Sequence, residues 1–338
     1  MPASDNTDPT RDDQAGDPGV EFGSTSGGGG AATMQRDWDN PAVGMFDGVE
    51  QTPGAAKPDP ILIAEGVSRT FGGLRAVDVD RVEIQRGAIT ALIGPNGAGK
   101  TTFFNLLTQF DTPDAGVITF DGKSTAGVRS HELASRGMVR TFQLTKVLAK
   151  MPVIDNMMLA AQEQSGESMW KALLNGWRSQ EKGVEVRALQ ILDEFNMTHM
   201  KDEFAGALSG GQRKLLEMAR AMMAEPRLIM LDEPMAGVNP ALTQSLLGHV
   251  KRLRSEGITV MFVEHDMDVV QDISDWVIVM AEGQVIAEGP PRSIGENPAV
   301  VDAYLGSSHA AFTEEIREAI ADQPAPAVEV DGSGDDRE

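Results

Sequence analysis

The sequence predicts an α/β fold built on a central parallel sheet with helices on its faces, and three observations lead there. Between residues 61 and 306, short β-like runs alternate with helical ones. Several of those runs, such as Thr259 to Val263 and Trp276 to Met280, are continuously apolar and have the length of buried strands. One run, ITALI, passes through a glycine-rich turn directly into a helical stretch.

Taken in order, ILIAEGVSRTF (61–71) and VDRVEIQ (79–85) read as strands ahead of ITALIG (89–94), a helix follows from about Gly99, and VITFDG (117–122) returns as a strand. Residues 153–224 then turn helical, with apolar positions three and four apart in ALQILDEF (188–195). RLIMLDE (227–233), TVMFVEH (259–265) and WVIVMAEG (276–283) resume the strands, separated by a helix from near Pro240 to before Gly257. The helical block is expected to form a subdomain, about residues 144–224, within a domain spanning 58–306.

The flanks differ in composition. Residues 1–57 are acidic and rich in Gly, Ser and Pro, and are expected to be a disordered tail; within them Met34 to Val49, carrying Trp38 and Phe46, reads as a short docking motif or a linker. Residues 307–338 form a second acidic tail, expected to be mostly disordered. The chain has 338 residues and a net charge of −22. Residues 1–60 hold eleven acids against three bases and residues 312–338 nine against two, so the acidity is concentrated in the tails. Such a balance fits a salt-adapted chain or an ordinary domain with two acidic tails, and argues against non-specific nucleic-acid binding. No apolar run approaches the roughly 18 to 20 residues that span a bilayer, so any membrane role is expected to be peripheral. The start, MPASDNTDPTRDD, lacks a basic segment and an apolar stretch and is not expected to be a secretory signal. With no cysteine, disulfides, thiolate catalysis and Cys-ligated zinc are excluded, which fits a cytoplasmic protein.

Five stretches carry chemistry. GPNGAGKT, Gly94 to Thr101, matches G-x-x-x-x-G-K-[ST] between an apolar strand and a helix. Gly94, Pro95, Asn96, Gly97, Ala98 and Gly99 would wrap backbone N–H groups around a di- or triphosphate at a helix N-terminus. Lys100 would reach the β and γ phosphates, the Thr101 hydroxyl would ligate Mg²⁺, and Thr102 would touch phosphate oxygens. LIMLDEP (228–234) ends an apolar strand in two acids: Asp232 is the candidate outer Mg²⁺ ligand, and Glu233 the candidate group that orients and polarises attacking water. His265, ending FVEHD, is either structural or poised to hydrogen-bond the γ-phosphate or the water. Gln143, ending RTFQ, would sense Mg²⁺ or water through its amide, and Phe71 either stacks on an adenine ring or belongs to the core. LSGGQRK (208–214) is a second cradle, in which Ser209 is the expected N-cap and Gly210 and Gly211 allow close backbone approach. Lacking the Lys-Thr pair, it looks like half of a phosphate site.

The order phosphate loop, glutamine, LSGGQ, LDEP, histidine resembles the ATP-binding subunit of ABC transporters over about residues 59–306. That resemblance implies a P-loop NTPase fold, the ABC ATP-binding cassette, with a RecA-like core, an antiparallel β subdomain and an α-helical signature subdomain. It implies that Gly94 to Thr102 are Walker A, Gln143 the Q-loop, Leu208 to Gln212 the signature, Asp232 and Glu233 the end of Walker B, His265 the switch histidine and Phe71 the adenine-stacking aromatic. It further implies ATP and Mg²⁺, with catalysis by Glu233, His265 and Gln143, metal binding by Thr101, Gln143 and Asp232, and nucleotide contacts from Ser209, Gly210, Gly211 and Gln212 of a second subunit. FGGLRAV (71–77), AGVNP (236–240), VEHDMD (263–268) and EGPPRSIGENPAVVDAYLG (288–306) look like the Liv-type subunits of branched-chain amino-acid importers, closer to the G-type. Urea importers and the lipopolysaccharide exporter carry close relatives, and a non-transport regulatory ATPase is the alternative outside transport. The implied partners are transmembrane permease subunits, a second ATP-binding subunit in a homodimer or homologous heterodimer, and indirectly an extracytoplasmic solute-binding protein, at the cytoplasmic face of the membrane. Asn239 stands where the broad family pattern has Asp.

Overall fold

The computed structural model describes residues 44–141, 147–161 and 177–305, with residues 177–180 and 305 described by their backbone alone. In chain order the elements are β1 (Pro60–Phe71), β2 (Leu74–Gln85), β3 (Ile89–Ile93), α1 (Lys100–Leu107), β4 (Ala115–Phe120), β5 (Lys123–Ser124), α2 (Ser130–Ser135), β6 (Met138–Arg140), α3 (Val153–Met158), α4 (Trp177–Glu194), α5 (Gly210–Met222), β7 (Leu228–Asp232), α6 (Pro240–Ser255), β8 (Thr259–Val263), α7 (Met267–Ile273), β9 (Trp276–Ala281), β10 (Gln284–Gly289), α8 (Pro291–Gly295) and α9 (Pro298–Leu305). The central sheet has the order β10-β9-β3-β8-β7-β6 and is parallel except for β10, which pairs antiparallel with β9. A second, antiparallel sheet has the order β2-β1-β4-β5.

The period-two geometry of a strand explains the unbroken apolar runs. In β8, Val260 and Phe262 point into one core while Met261 and Val263 point into another; β3 divides likewise, with Ala91 and Ile93 on one side and Leu92 on the other. The first core is closed by α4, α5 and α6 through Leu192, Leu216 and Leu247. The second holds α1, by Phe103 and Phe104, together with Ile61, Val79 and Ile118 of the antiparallel sheet. A strand buried on both sides has no polar face, so each of these residues is apolar.

The expected tail boundary at residue 57 needs correction for residues 44–57, which pack on the domain. Phe46 stacks on Trp276 with ring centroids 4.7 Å apart. Ala55 N donates to Glu288 Oε1 (2.6 Å), and Lys57 Nζ donates to Glu288 Oε2 (3.2 Å) and to the Ala55 carbonyl (2.8 Å). The same ammonium lies 4.4 Å from the Trp276 ring centroid, and Trp276 Nε1 donates to Glu288 Oε2 (3.0 Å). Burial alone pulls the Lys57 pKa down; Glu288 pulls it back up. Composition marks this stretch as a linker because its anchors lie far along the chain, 231 residues away for Glu288. Trp38 and residues 1–43, like residues 306–338, lie outside the described residues.

Candidate functional site

The phosphate loop is shaped by glycines that no other residue can replace without moving the backbone. Gly94 has φ +148° and Gly99 φ +94°. A Cβ on Gly94 would fall 2.0 Å from the Met280 carbonyl oxygen, and one on Gly99 2.3 Å from that of Ala76, so both are fixed by backbone neighbours as well as by dihedral. The loop therefore lies close against β9 and the start of β2. Lys100 Nζ folds over the loop and donates to the carbonyls of Gly94 (2.6 Å) and Pro95 (3.0 Å). Burial lowers its pKa and the Glu233 carboxylate raises it. Helix α1 has no side-chain cap and no acid in its first turn, so its N–H groups and positive end face the loop without a competing carboxylate. Thr101 is exposed and Thr102 half-buried at this opening. A cradle that excludes a Cβ, an ammonium and an uncompensated helix end form a donor set that fits a nucleotide polyphosphate.

Parallel pairing brings Asp232 to the same edge of the sheet, opposite Val263 of β8. Its Oδ2 accepts from Arg140 Nη2 at 2.8 Å, with both side chains 7% exposed. Arg140, at the end of β6, also donates through Nη1 to Asn105 Oδ1 (2.6 Å) and Thr108 Oγ1 (3.1 Å) of the α1 segment, and its guanidinium lies 5.0 Å from the Phe104 ring centroid. One side chain thus ties the helix behind the phosphate loop to the Asp232 carboxylate. Glu233 follows at φ +46°, a left-handed conformation uncommon for a non-glycine residue. Its N–H donates to the Val263 carbonyl (3.1 Å), and its own carbonyl accepts from Lys214 Nζ (2.7 Å).

His265 is well exposed at this edge, its side chain 68% accessible, while the neighbouring Glu264 is buried. Glu264 accepts from Met235 N (2.9 Å) and His265 N (3.3 Å), so it joins the turn after β7 to the turn after β8. Its burial pushes the carboxyl pKa up, against those two hydrogen bonds. Phe71, at the tip of the β1–β2 hairpin, is 47% exposed and lies 4.8 Å from the Arg69 guanidinium, which removes the core alternative and leaves the ring available as a platform. Gln143 lies outside the described residues.

The second cradle is a capping box. Gln212 N donates to Ser209 Oγ (3.2 Å) and Ser209 N donates to Gln212 Oε1 (2.8 Å), opening α5 as the S-x-x-Q spacing requires. Ser209 and Gly210 are exposed. Among the described residues no hydrogen bond or ion pair joins 208–212 to 94–102. Asn239 caps α6 by accepting from Leu242 N (2.9 Å), a task Asn and Asp perform alike.

Sequence reasoning missed Arg140, Lys214, Glu264 and Tyr304. The first three lie inside the motifs RTFQ, LSGGQRK and FVEHD, and a charged residue flanking an apolar strand or helix start was the available signal. Tyr304, the chain's single tyrosine, is buried on α9 with its hydroxyl hydrogen-bonded to the Gly94 backbone, and desolvation raises its pKa. Nothing local marks it.

The family model for ABC transporters matches residues 77–236, and a model described as branched-chain amino acid ATP-binding cassette transporter matches residues 284–310, which include Tyr304. The chain is 42% identical over 247 residues to a probable branched-chain amino acid transport ATP-binding protein LivG of Archaeoglobus fulgidus, covering 73% of this chain and 96% of the relative. It is 40% identical over 252 residues to the high-affinity branched-chain amino acid transport ATP-binding protein BraF of Pseudomonas aeruginosa, covering 74% and 99%. A solved ADP conformation of an ATP-binding cassette of an ABC transporter superposes with a TM-score of 0.64 at 36% identity, covering 73% of this chain and 99% of that one. With relatives this similar over nearly their whole length, and with the phosphate loop and its edge carboxylates folded as described, the chain belongs to the ABC transporter family, as an ATP-binding subunit of the Liv type.

Proposed function

We propose that the chain hydrolyses ATP in a site shared between two ATP-binding subunits and so powers a separate membrane permease that imports branched-chain amino acids. The observation that carries the shared site is the unlike make-up of the two cradles: one has the lysine and hydroxyls of a complete phosphate loop, the other only a capped, exposed helix start. In a head-to-tail pair, Leu208 to Gln212 of one subunit would close over the nucleotide held by Gly94 to Thr102 of the other. The substrate class rests on the relatives' names.

Within that pair, Lys100 and the α1 N-terminus hold the phosphates, and Phe71 offers a face for the base. Glu233 orients and polarises the attacking water, and His265, exposed beside it, hydrogen-bonds the γ-phosphate or that water. Thr101, Asp232 and Gln143 are the residues that would hold Mg²⁺, which would supply charge neutralisation at the phosphates. No described helix is long and apolar enough to cross a membrane. Leu148, Leu159 and Phe204 are exposed on the segment between the Q-loop position and the signature, the segment on which a cytoplasmic helix of the permease would dock.

The test is Glu233→Gln in the full-length chain. It is expected to bind ATP, turn over at least ~100-fold more slowly and accumulate as a dimer on size exclusion with ATP. Cells carrying it should lose uptake of labelled leucine while keeping urea uptake. Rapid turnover, or a monomer under saturating ATP, would overturn the reading.

A further inference from the structure

Helix α5 carries two sets of contacts on one rigid element. By the reading proposed above, its start faces the nucleotide on the partner subunit. Two residues beyond the signature, Lys214 is turned inward, and its ammonium donates at 2.7 Å to the carbonyl of Glu233 in the same chain. That residue is the one held at φ +46°, a conformation that persists only where its surroundings over-determine it. Its N–H donates to the Val263 carbonyl and its carbonyl also accepts from Ala236 N (3.2 Å), both bonds made by the backbone of the sheet edge and its turn. Lys214 adds a hold that comes from α5.

A second contact reinforces the first. A Cβ on Gly211 would fall 2.0 Å from Leu242 Cδ2 and 3.3 Å from Val238 Cγ1, so the signature glycine lies directly against the segment that follows Glu233. Glu264 then fixes the start of that segment through Met235 N. The helix, thirteen residues long, is closed by its capping box and buries Leu215, Leu216 and Met218, so its first turn moves with the rest.

We infer that Lys214 is a positioning residue that couples the two composite sites, linking engagement of the partner's nucleotide by Ser209 to Gln212 with the backbone setting of Glu233 in the chain's own site. The inference rests on the shared-site reading. Each subunit would then sense the other's nucleotide through its own α5, and hydrolysis at the two sites would be cooperative.

The test uses the full-length chain and ATP. Wild type is expected to hydrolyse ATP with a Hill coefficient above one and to show slowed amide exchange across residues 233–238 when ATP closes the dimer. Lys214→Met, which keeps the length and removes the charged donor, should lower kcat about ten-fold or more. It should bring the Hill coefficient to one, abolish the ATP-dependent slowing at 233–238 and leave the ATP affinity of the monomer unchanged. Lys214→Arg should restore cooperativity, which a packing role would not require. Wild-type kcat and Hill coefficient in Lys214→Met, or full slowing at 233–238, would overturn the coupling; so would lost monomer affinity. Glu233→Gln separates the two levels: if it does not dimerise with ATP, the shared site itself fails, whereas if it dimerises and Lys214→Met behaves as wild type, only the coupling fails.

Discussion

Replacing Arg140 by Met isolates the buried ion pair behind the phosphate loop. Both side chains of the Arg140–Asp232 pair are 7% exposed, so the carboxylate left behind has little water to take the place of the guanidinium. Breaking such a pair from one side costs about 3–5 kcal/mol, because the lone charge keeps its desolvation penalty. The lost bonds to Asn105 and Thr108 add less. Thr108 Oγ1 already donates to the Phe104 carbonyl at 2.8 Å, and half-buried Asn105 can turn to solvent. The Met side chain replaces the aliphatic stem but not the guanidinium over Phe104. A net loss of about 4 kcal/mol follows, or a fall in Tm of roughly 8–16 °C for a domain of this size. Urea unfolding of wild type, Arg140→Met, Asp232→Asn and the double variant gives the cycle, with an expected coupling of about 2–3 kcal/mol. A loss below about 1 kcal/mol in Arg140→Met, or additivity within about 0.5 kcal/mol, would refute the claim that this pair holds β6, β7 and α1 together.

Three further outcomes are expected. Gly94→Ala should abolish nucleotide binding, measured by titration with a fluorescent ATP analogue, because its Cβ would lie 2.0 Å from a backbone oxygen at φ +148°; retained binding would contradict the close approach of the loop to β9. Phe71→Ala should weaken adenine-nucleotide binding by about 1–2 kcal/mol, as loss of one stacked ring does, while leaving inorganic triphosphate binding and Tm unchanged, since the ring is 47% exposed. Glu264→Gln tests pH linkage. Because the folded pKa of Glu264 is raised above its usual 4.5, the folded state binds its proton more tightly, and that contribution to stability is present below pH 4.5 and lost as pH rises through the raised value. The stability of wild type relative to Glu264→Gln should therefore be highest at low pH and decline upward; a difference that grows with pH would show that the two accepted hydrogen bonds outweigh burial.

Much of the site was legible because it is written in contiguous residues. A phosphate loop needs glycines where backbone must pass backbone, a strand before it and a helix after it, and GPNGAGKT carries all three requirements within reach of one another. The capping box of Ser209 and Gln212 is equally local, as are the apolar runs of β3, β7 and β8, which a sheet buried on both faces demands. Phe71 was ambiguous from sequence because an aromatic at a hairpin tip and one in a core look the same until the hairpin's neighbours are known. Residues 44–57 misled for a related reason, since Gly, Pro and acids describe a linker until Trp276 and Glu288 arrive to hold Phe46, Ala55 and Lys57.

By itself, then, the sequence determined the α/β class, the phosphate loop, the acids at the end of β7 and the start of the signature helix. Those depend on dihedral preference, period-two burial and capping, all of which act over a few residues. Only the tertiary structure decided what holds them in register: Arg140 on Asp232 across 92 residues, Lys214 on the Glu233 carbonyl, Glu264 between two turns, Tyr304 on Gly94. These pairings join residues from separate strands and helices, and parallel strand order, which no local pattern encodes, brings them to one edge of the sheet.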